Sequence, residues 1–232
     1  MTVHFTLYGI VSSASMIPHI LLRELQLPHE MIFLDRSFND HKSEHYLKLN
    51  PNGLVPTLVC HGLNSATQPM VLFETNAICL FLAEFFPSLC PSQSDHVKRA
   101  KYLQWMSFLS SSIQADSALY FYPHRYIGSD DCENSQPPSQ HDVKQFQQKT
   151  EKRLFEKFKI FDSELSDGRN FVLGEDFSVV DIYLFVLARW TRHMSLKARE
   201  LPHLSTYLEK MCKRESIQQV FNVEGIETGP FY

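Results

Sequence analysis

His41-Lys42-Ser43-Glu44-His45 has the H-x-x-E-H spacing that sets two imidazoles on one helix face around a carboxylate, the arrangement of a zinc-dependent hydrolase. That chemistry needs a long buried helix and a third ligand. This segment is short, polar and closed by Asn50-Pro51, which argues against a metal centre. Ser178-x-x-Asp181 is a capping box, in which the serine caps a helix and the acid reaches back; it reads as structural. Residues 117–126, SALYFYPHRY, gather Tyr120, Phe121, Tyr122, His124, Arg125 and Tyr126 into an aromatic wall. Such a stripe serves a core or a dimer contact; it also suits an apolar ligand, with Arg125 meeting a carboxylate. Cys60, Cys79, Cys90, Cys132 and Cys212 are odd in number and widely spaced, without C-x-x-C. A disulfide scaffold, a cysteine zinc site and a dithiol redox motif are disfavoured, and a reducing compartment is favoured. A net charge of -4, from 22 Lys+Arg against 26 Asp+Glu, leaves no basic footprint for nucleic acid.

The elements that must position these groups fall into two parts. Residues 1–87 carry 4 Lys+Arg and 7 Asp+Glu, against 18 and 19 in residues 88–232, and the first part is rich in short apolar runs, as a sheet with covered faces requires. Between the parts, Pro87 to Asp95 is a Pro/Ser linker, which divides the chain into domains 1–87 and 95–232. In the first, residues 4–9 and 29–34 read as strands around a helix over 16–27, with Pro18 tolerated in its first turn. A short helix over 41–49 ends at Asn50-Pro51-Asn52-Gly53. A hairpin of 56–60 and 70–74 and a helix over 75–86 complete a βαβαββα order, with parallel pairing across the first crossover. The second part carries no convincing strand: a long helix opens at Asp95, another spans 141–166, and 178–191 is apolar on nearly every face, as a buried central helix should be. Two shorter helices follow, and 128–140 reads as a mobile polar loop. No apolar run approaches membrane-spanning length, and the N-terminus opens directly as a strand rather than as a signal peptide, which predicts a cytoplasmic protein with no membrane partner.

On this framework, four segments resemble the glutathione transferase superfamily, over nearly the whole chain. Residues 50–58, NPNGLVPTL, resemble its N-P-x-x-x-V-P-x-L turn, whose proline is cis; 73–78, FETNAI, its E-[S/T]-x-A-I segment; 175–185, EDFSVVDIYLF, its [F/L]-[S/T]-x-x-D helix; and KRESIQQVF its final helix. The resemblance implies an α/β thioredoxin-like N-terminal domain followed by an all-α helical bundle. It also implies a homodimer, with reduced glutathione and a small electrophile as partners and glutathione, not a metal, as the co-substrate.

Glutathione carries two carboxylates, an amine and a thiol that reacts only as thiolate, and each unit of pKa lowering takes about 1.4 kcal/mol of preferential interaction with the anion. By the resemblance, Val55-Pro56 pairs with the ligand backbone like an added strand. Glu74 and Thr75, at a strand–helix junction, receive the γ-glutamyl group, the carboxylate on helix N–H groups and the amine on Glu74. Thr75 reads equally as a plain N-cap. His41 sits where theta-type members contact the glycine carboxylate, and a solvent-facing histidine is the alternative. Leu54 departs from the pattern, standing where many members place Lys or Gln for that carboxylate.

The thiol activator falls in residues 8–16, YGIVSSASM. Ser12-Ser13-Ala14-Ser15 resembles the serine stretches of zeta, delta and theta types, whose register makes Ser12 the hydroxyl donor to the thiolate. Ser13 is one residue away, and Tyr8 is the activator in tyrosine-type classes. With no cysteine before residue 60, a mechanism using the protein's own thiol is disfavoured, and Met16-Ile17-Pro18-His19 replaces the zeta-type W-R-V-R run. The acceptor is expected between the Ser12 loop and the first long bundle helix, against Tyr120, Tyr122 and Arg125. The resulting expectation is a serine-activated transferase, related to bacterial or theta/zeta-like members. Its rivals are a glutathione-dependent disulfide reductase, peroxidase or isomerase on the same fold, and a non-catalytic adaptor.

Overall fold

The structure, a computed structural model, describes residues 3–63, 68–127 and 138–226. Cys132 and most of the polar loop over 128–140 fall outside these residues. Strands β1 (His4–Gly9), β2 (His29–Phe33), β3 (Thr57–His61) and β4 (Met70–Phe73) form one mixed sheet in the order β2-β1-β3-β4. β1 and β2 are parallel, joined through α1 (Met16–Glu24), while β3 and β4 are a hairpin antiparallel to them. Both faces of β1 and β3 are covered, and Phe5, Leu7, Leu58 and Cys60 are fully buried, as the low charge of this half requires. Helices α2 (Glu44–Leu47) and α3 (Thr75–Phe85) complete the sheet half.

The 41–49 segment differs from its expected single helix. Asp40–Lys42 is a 3-10 turn, Ser43 is extended and caps α2 by accepting from the Tyr46 N–H at 3.3 Å, so His41 and His45 do not share a helix face. The Pro/Ser linker also contains structure, a 3-10 turn at Pro87–Leu89 that buries Leu89.

The rest of the described chain is helical: α4 (His96–Phe108), α5 (Ala115–Phe121), α6 (Gln140–Glu164), α7 (Val179–Trp190), α8 (Pro202–Cys212) and α9 (Glu215–Val223). Asp95 starts α4 by accepting from the Lys98 N–H at 3.0 Å. α4 runs into α5 through a π-helical segment, Leu109–Gln114, where Ser110 and Ser111 turn their hydroxyls back to the Met106 and Ser107 carbonyls at 2.9 and 2.7 Å. α7 is buried from Val179 through Arg189, each large apolar side chain there contributing about 1.5–3 kcal/mol. Its start is fixed by Asp181, which accepts from the Ser178 N–H (2.8 Å), the Val172 N–H (2.9 Å) and the Tyr207 hydroxyl (2.8 Å). Burial pushes the Asp181 carboxyl up, and these donors oppose that shift. α1 lies between the halves, packed on α3, α7 and α9. Among the described residues no helix is long and apolar enough to cross a membrane.

Candidate active site

The sheet register determines which loops meet. Tyr8 pairs with Thr57, and Thr57 with Phe73, so the C-terminal ends of β1 and β4 and the N-terminal end of β3 share one edge. The residues immediately beyond that edge are the Ser12 loop, Val55-Pro56 and Glu74-Thr75, and the helices that follow the first and third of these, α1 and α3, begin there. Three segments far apart in sequence therefore line one end of the sheet, with two helix N-termini among them.

In the turn before β3, the Val55-Pro56 peptide is cis. The Leu54 carbonyl accepts from the Tyr46 hydroxyl at 2.6 Å and from Asn50 Nδ2 at 2.8 Å, and both groups also reach Thr57 Oγ1, at 2.8 and 3.2 Å. Asn50 Oδ1 accepts from the Asn52 N–H at 3.1 Å. Asn50, Tyr46 and Thr57 are buried, and Tyr46 also packs its ring 5.8 Å from that of Tyr8. Gly53 has φ +57°, and a Cβ there would stand 2.8 Å from the His41 carbonyl oxygen, so the turn needs glycine.

The Ser12 loop is ordered from within by Ser15. Its buried hydroxyl donates to the Ile10 carbonyl (3.1 Å), accepts from the Ile10 N–H (3.2 Å) and lies 2.9 Å from the Ser13 hydroxyl. Ser13 is thereby committed to the loop. Ser12 adopts φ 58°, and its N–H donates to Glu224 Oε2 at 2.7 Å; its hydroxyl bonds to no other described residue. At α3, Glu74 has φ 74° and is exposed, whereas Thr75 is buried. Glu74, Thr75 and Asn76 face Ser110, Gln114, Ala115 and Ala118 across a cavity of about 210 Å³ floored by Tyr183, whose hydroxyl donates to Gln114 Oε1. Asn76 Oδ1 is buried there with no donor in reach among the described residues.

Residues 11–84 match the family described as glutathione S-transferase, N-terminal domain, and 110–215 match glutathione S-transferase, C-terminal domain. The chain belongs to the glutathione S-transferase family. It is 25% identical to glutathione S-transferase GstA of Escherichia coli O157:H7 over 93% of this chain and 96% of that one. It is 29% identical to glutathione S-transferase hmp2 of Hypomyces subiculosus over 76% and 77% of the two chains. A glutathione transferase homologue from Sulfitobacter, solved with bound glutathione, superposes with a TM-score of 0.80 at 25% identity, covering 97% of this chain and 99% of that one.

His41 is half-buried, and burial, together with Lys42, Arg36 and Arg125, holds its imidazole below the usual range, so the neutral form is favoured. Leu54 is exposed and carries no polar side-chain group. Tyr122 has the Arg125 guanidinium 4.2 Å and that of Arg36 5.8 Å from its ring centroid. Tyr120 is placed differently. Its carbonyl accepts from Gln147 of α6 at 2.9 Å, burial and the nearby Glu151 charge raise its hydroxyl pKa, and it does not line the cavity bounded by Ala115 and Ala118.

Arg36, Asn50, Tyr46 and Glu224 carried no functional signal in the sequence. Asn50 was visible only as the first letter of the N-P motif; Tyr46 reaches Leu54 and Thr57 within the same stretch of chain, and Arg36 and Glu224 meet residues remote in sequence. A larger cavity of about 690 Å³ lies at the C-terminal end of α1, the end away from Ser12, where Glu24 already accepts from Arg214 and from the Ser216 hydroxyl. Cys60 and Cys79 are buried, and burial pushes the Cys60 thiol up to about 12 and that of Cys79 higher, so neither is a ready thiolate.

Proposed function

We propose that this chain conjugates reduced glutathione to small electrophiles, with the Ser12 hydroxyl donating to the glutathione thiolate. The observation that carries this reading is the convergence at one sheet edge of an uncommitted Ser12 hydroxyl, the Val55-Pro56 turn and the N-terminus of α3. The γ-glutamyl carboxylate would meet the first N–H groups of α3, its amine the Glu74 carboxylate, and the unpaired Asn76 Oδ1 is a further acceptor for that amine. Val55 would pair with the cysteinyl backbone. With Leu54 apolar, the glycine carboxylate falls to the His41 and Lys42 side of the turn. The thiol proton leaves to solvent. The sulfur lone pair then forms the S–C bond, and the leaving group departs with the electrons of the bond it breaks. The acceptor would lie against Tyr122 with Arg36 and Arg125 at its edge, and Tyr8 supports the turn through Tyr46. A homodimer and a cytoplasmic location accompany this reading.

Calorimetric titration with reduced glutathione should show saturable binding at about one site per chain. Ser12→Ala should lower turnover of an activated aryl halide about 10- to 100-fold, the equivalent of one to two pKa units of thiolate stabilisation, with the glutathione Kd nearly unchanged. Absence of binding at millimolar ligand would overturn the transferase reading in favour of an adaptor. If Tyr8→Phe abolishes turnover and Ser12→Ala does not, the activator is Tyr8.

A further inference from the structure

The loop that carries Ser12 is held from the opposite end of the chain. Ser12 has φ 58°, a left-handed conformation that residues with a Cβ seldom adopt without outside support. The support visible here is Glu224, immediately after α9, whose Oε2 accepts from the Ser12 N–H at 2.7 Å. The Glu224 side chain is wholly enclosed, as is that of His19 on α1, and His19 Nδ1 lies 3.6 Å from Glu224 Oε1. The buried Arg189 of α7 contributes positive charge to the same site, its own pKa brought down to about 10 by burial and by Arg192, against the opposing charge of Glu224. A carboxylate enclosed between α1, α7 and α9 is a poor choice for packing alone, because a methionine of similar volume would fill the space without desolvating a charge.

We propose that Glu224 is a positioning residue for the thiol-activating loop: by taking up the Ser12 N–H it locks the left-handed backbone and turns the Ser12 hydroxyl toward the sulfur. This rests on Ser12 as the activator and goes beyond it by making the C-terminal segment part of the active-site scaffold. Glu224 itself touches no reacting atom. The Ser12 N–H, already committed to Glu224, leaves the hydroxyl as the donor that Ser12 offers the thiolate.

The test titrates the thiol of bound glutathione by its ultraviolet thiolate absorbance in the full chain, alongside kcat and the glutathione Kd. Glu224→Met keeps the volume and removes the acceptor; Glu224→Gln restores an acceptor for the Ser12 N–H. The expected result for Glu224→Met is an upward shift of about one unit in the thiol pKa and about a tenfold loss of kcat, with Kd within about twofold. Glu224→Gln should recover most of both. Ser12→Ala in the same titration separates the two claims. If it raises the thiol pKa and Glu224→Met does not, the positioning role is overturned while the Ser12 assignment stands. If Glu224→Met shifts the titration and Ser12→Ala does not, Glu224 positions a loop whose activator is another group. Equal losses in Glu224→Met and Glu224→Gln, with the thiol titration unmoved in both, would also overturn the proposal.

Discussion

Asn50 and Tyr46 reach the Val55-Pro56 turn across at most 11 residues of chain, whereas Glu224 reaches the Ser12 loop across 212. The first region is built from its own sequence neighbourhood and closed by four side-chain hydrogen bonds among Tyr46, Asn50, Leu54 and Thr57. The second is partly ordered by Ser15 but completed only when the whole helical half has packed and α9 lies on α1. On the proposed reading the turn holds glutathione and the loop acts on its sulfur. Binding and activation would then depend on different parts of the fold, and substitutions should be able to separate them.

The largest effect is expected in the turn. Asn50→Ala removes the Asn50 bonds to Leu54, Thr57 and the Asn52 N–H inside a buried cluster, and should cost about 2–3 kcal/mol, lowering Tm by about 5–10 °C. Tyr46→Phe leaves Asn50 on the Leu54 carbonyl and should cost about 1 kcal/mol. Thermal melts would rank the two, and glutathione titration should show both weakening affinity. An intact affinity in Asn50→Ala would mean that the turn does not hold the ligand.

A double-mutant cycle sharpens the contrast. Asn50 and Glu224 share no hydrogen-bond partner, so Asn50→Ala and Glu224→Met should be additive in stability to within about 0.5 kcal/mol. A clearly larger coupling would show that the two regions are one cooperative unit joined through β1, and the division between binding and activation would fail.

The same contrast explains what was legible in the sequence. The succession of strands and helices along the first half, the helix start at Asp95 and the buried α7 follow from local spacing, because apolar periodicity and capping residues act within a few positions, whereas the cis turn came from the resemblance of residues 50–58 to a known family. The 3-10 break at Asp40–Lys42 escaped notice because the polar 41–49 segment has no apolar face to decide its pitch. The π turn at Leu109–Gln114 comes from serines bonding back to the preceding turn, a choice that helix propensity does not encode. Tyr120 lies in α5, whereas Tyr122 follows the end of that helix with φ -127°, so no helical period relates the two, and composition alone could not assign their neighbours. Glu224 was invisible for a stronger reason: its partner is set by the packing of α9 on α1, and no local pattern announces it.

The smallest expected effect is in the pH dependence of stability, and the two regions should control opposite edges. Against His19, which lies 3.6 Å from Glu224, the His29 ring stacks edge-on at 5.5 Å, with its Nδ1 at 2.8 Å from the Leu27 carbonyl oxygen. Burial, and to a lesser degree Arg23, His19 and His4, lower its pKa from 6.5, against the opposing bond to Leu27. The unfolded chain therefore takes up a proton at a higher pH than the folded one, and stability present above 6.5 is lost as pH falls toward the folded value. In the turn, burial raises the Tyr46 hydroxyl pKa above 10, so the unfolded chain releases its proton first and stability is lost as pH rises beyond 10. Melting temperatures across a pH series should show His29→Gln flattening only the acid limb and Tyr46→Phe only the alkaline limb. If His29→Gln leaves the acid limb unchanged, the acid sensitivity arises elsewhere, and the packing of His29 on His19 is not what proton uptake opens.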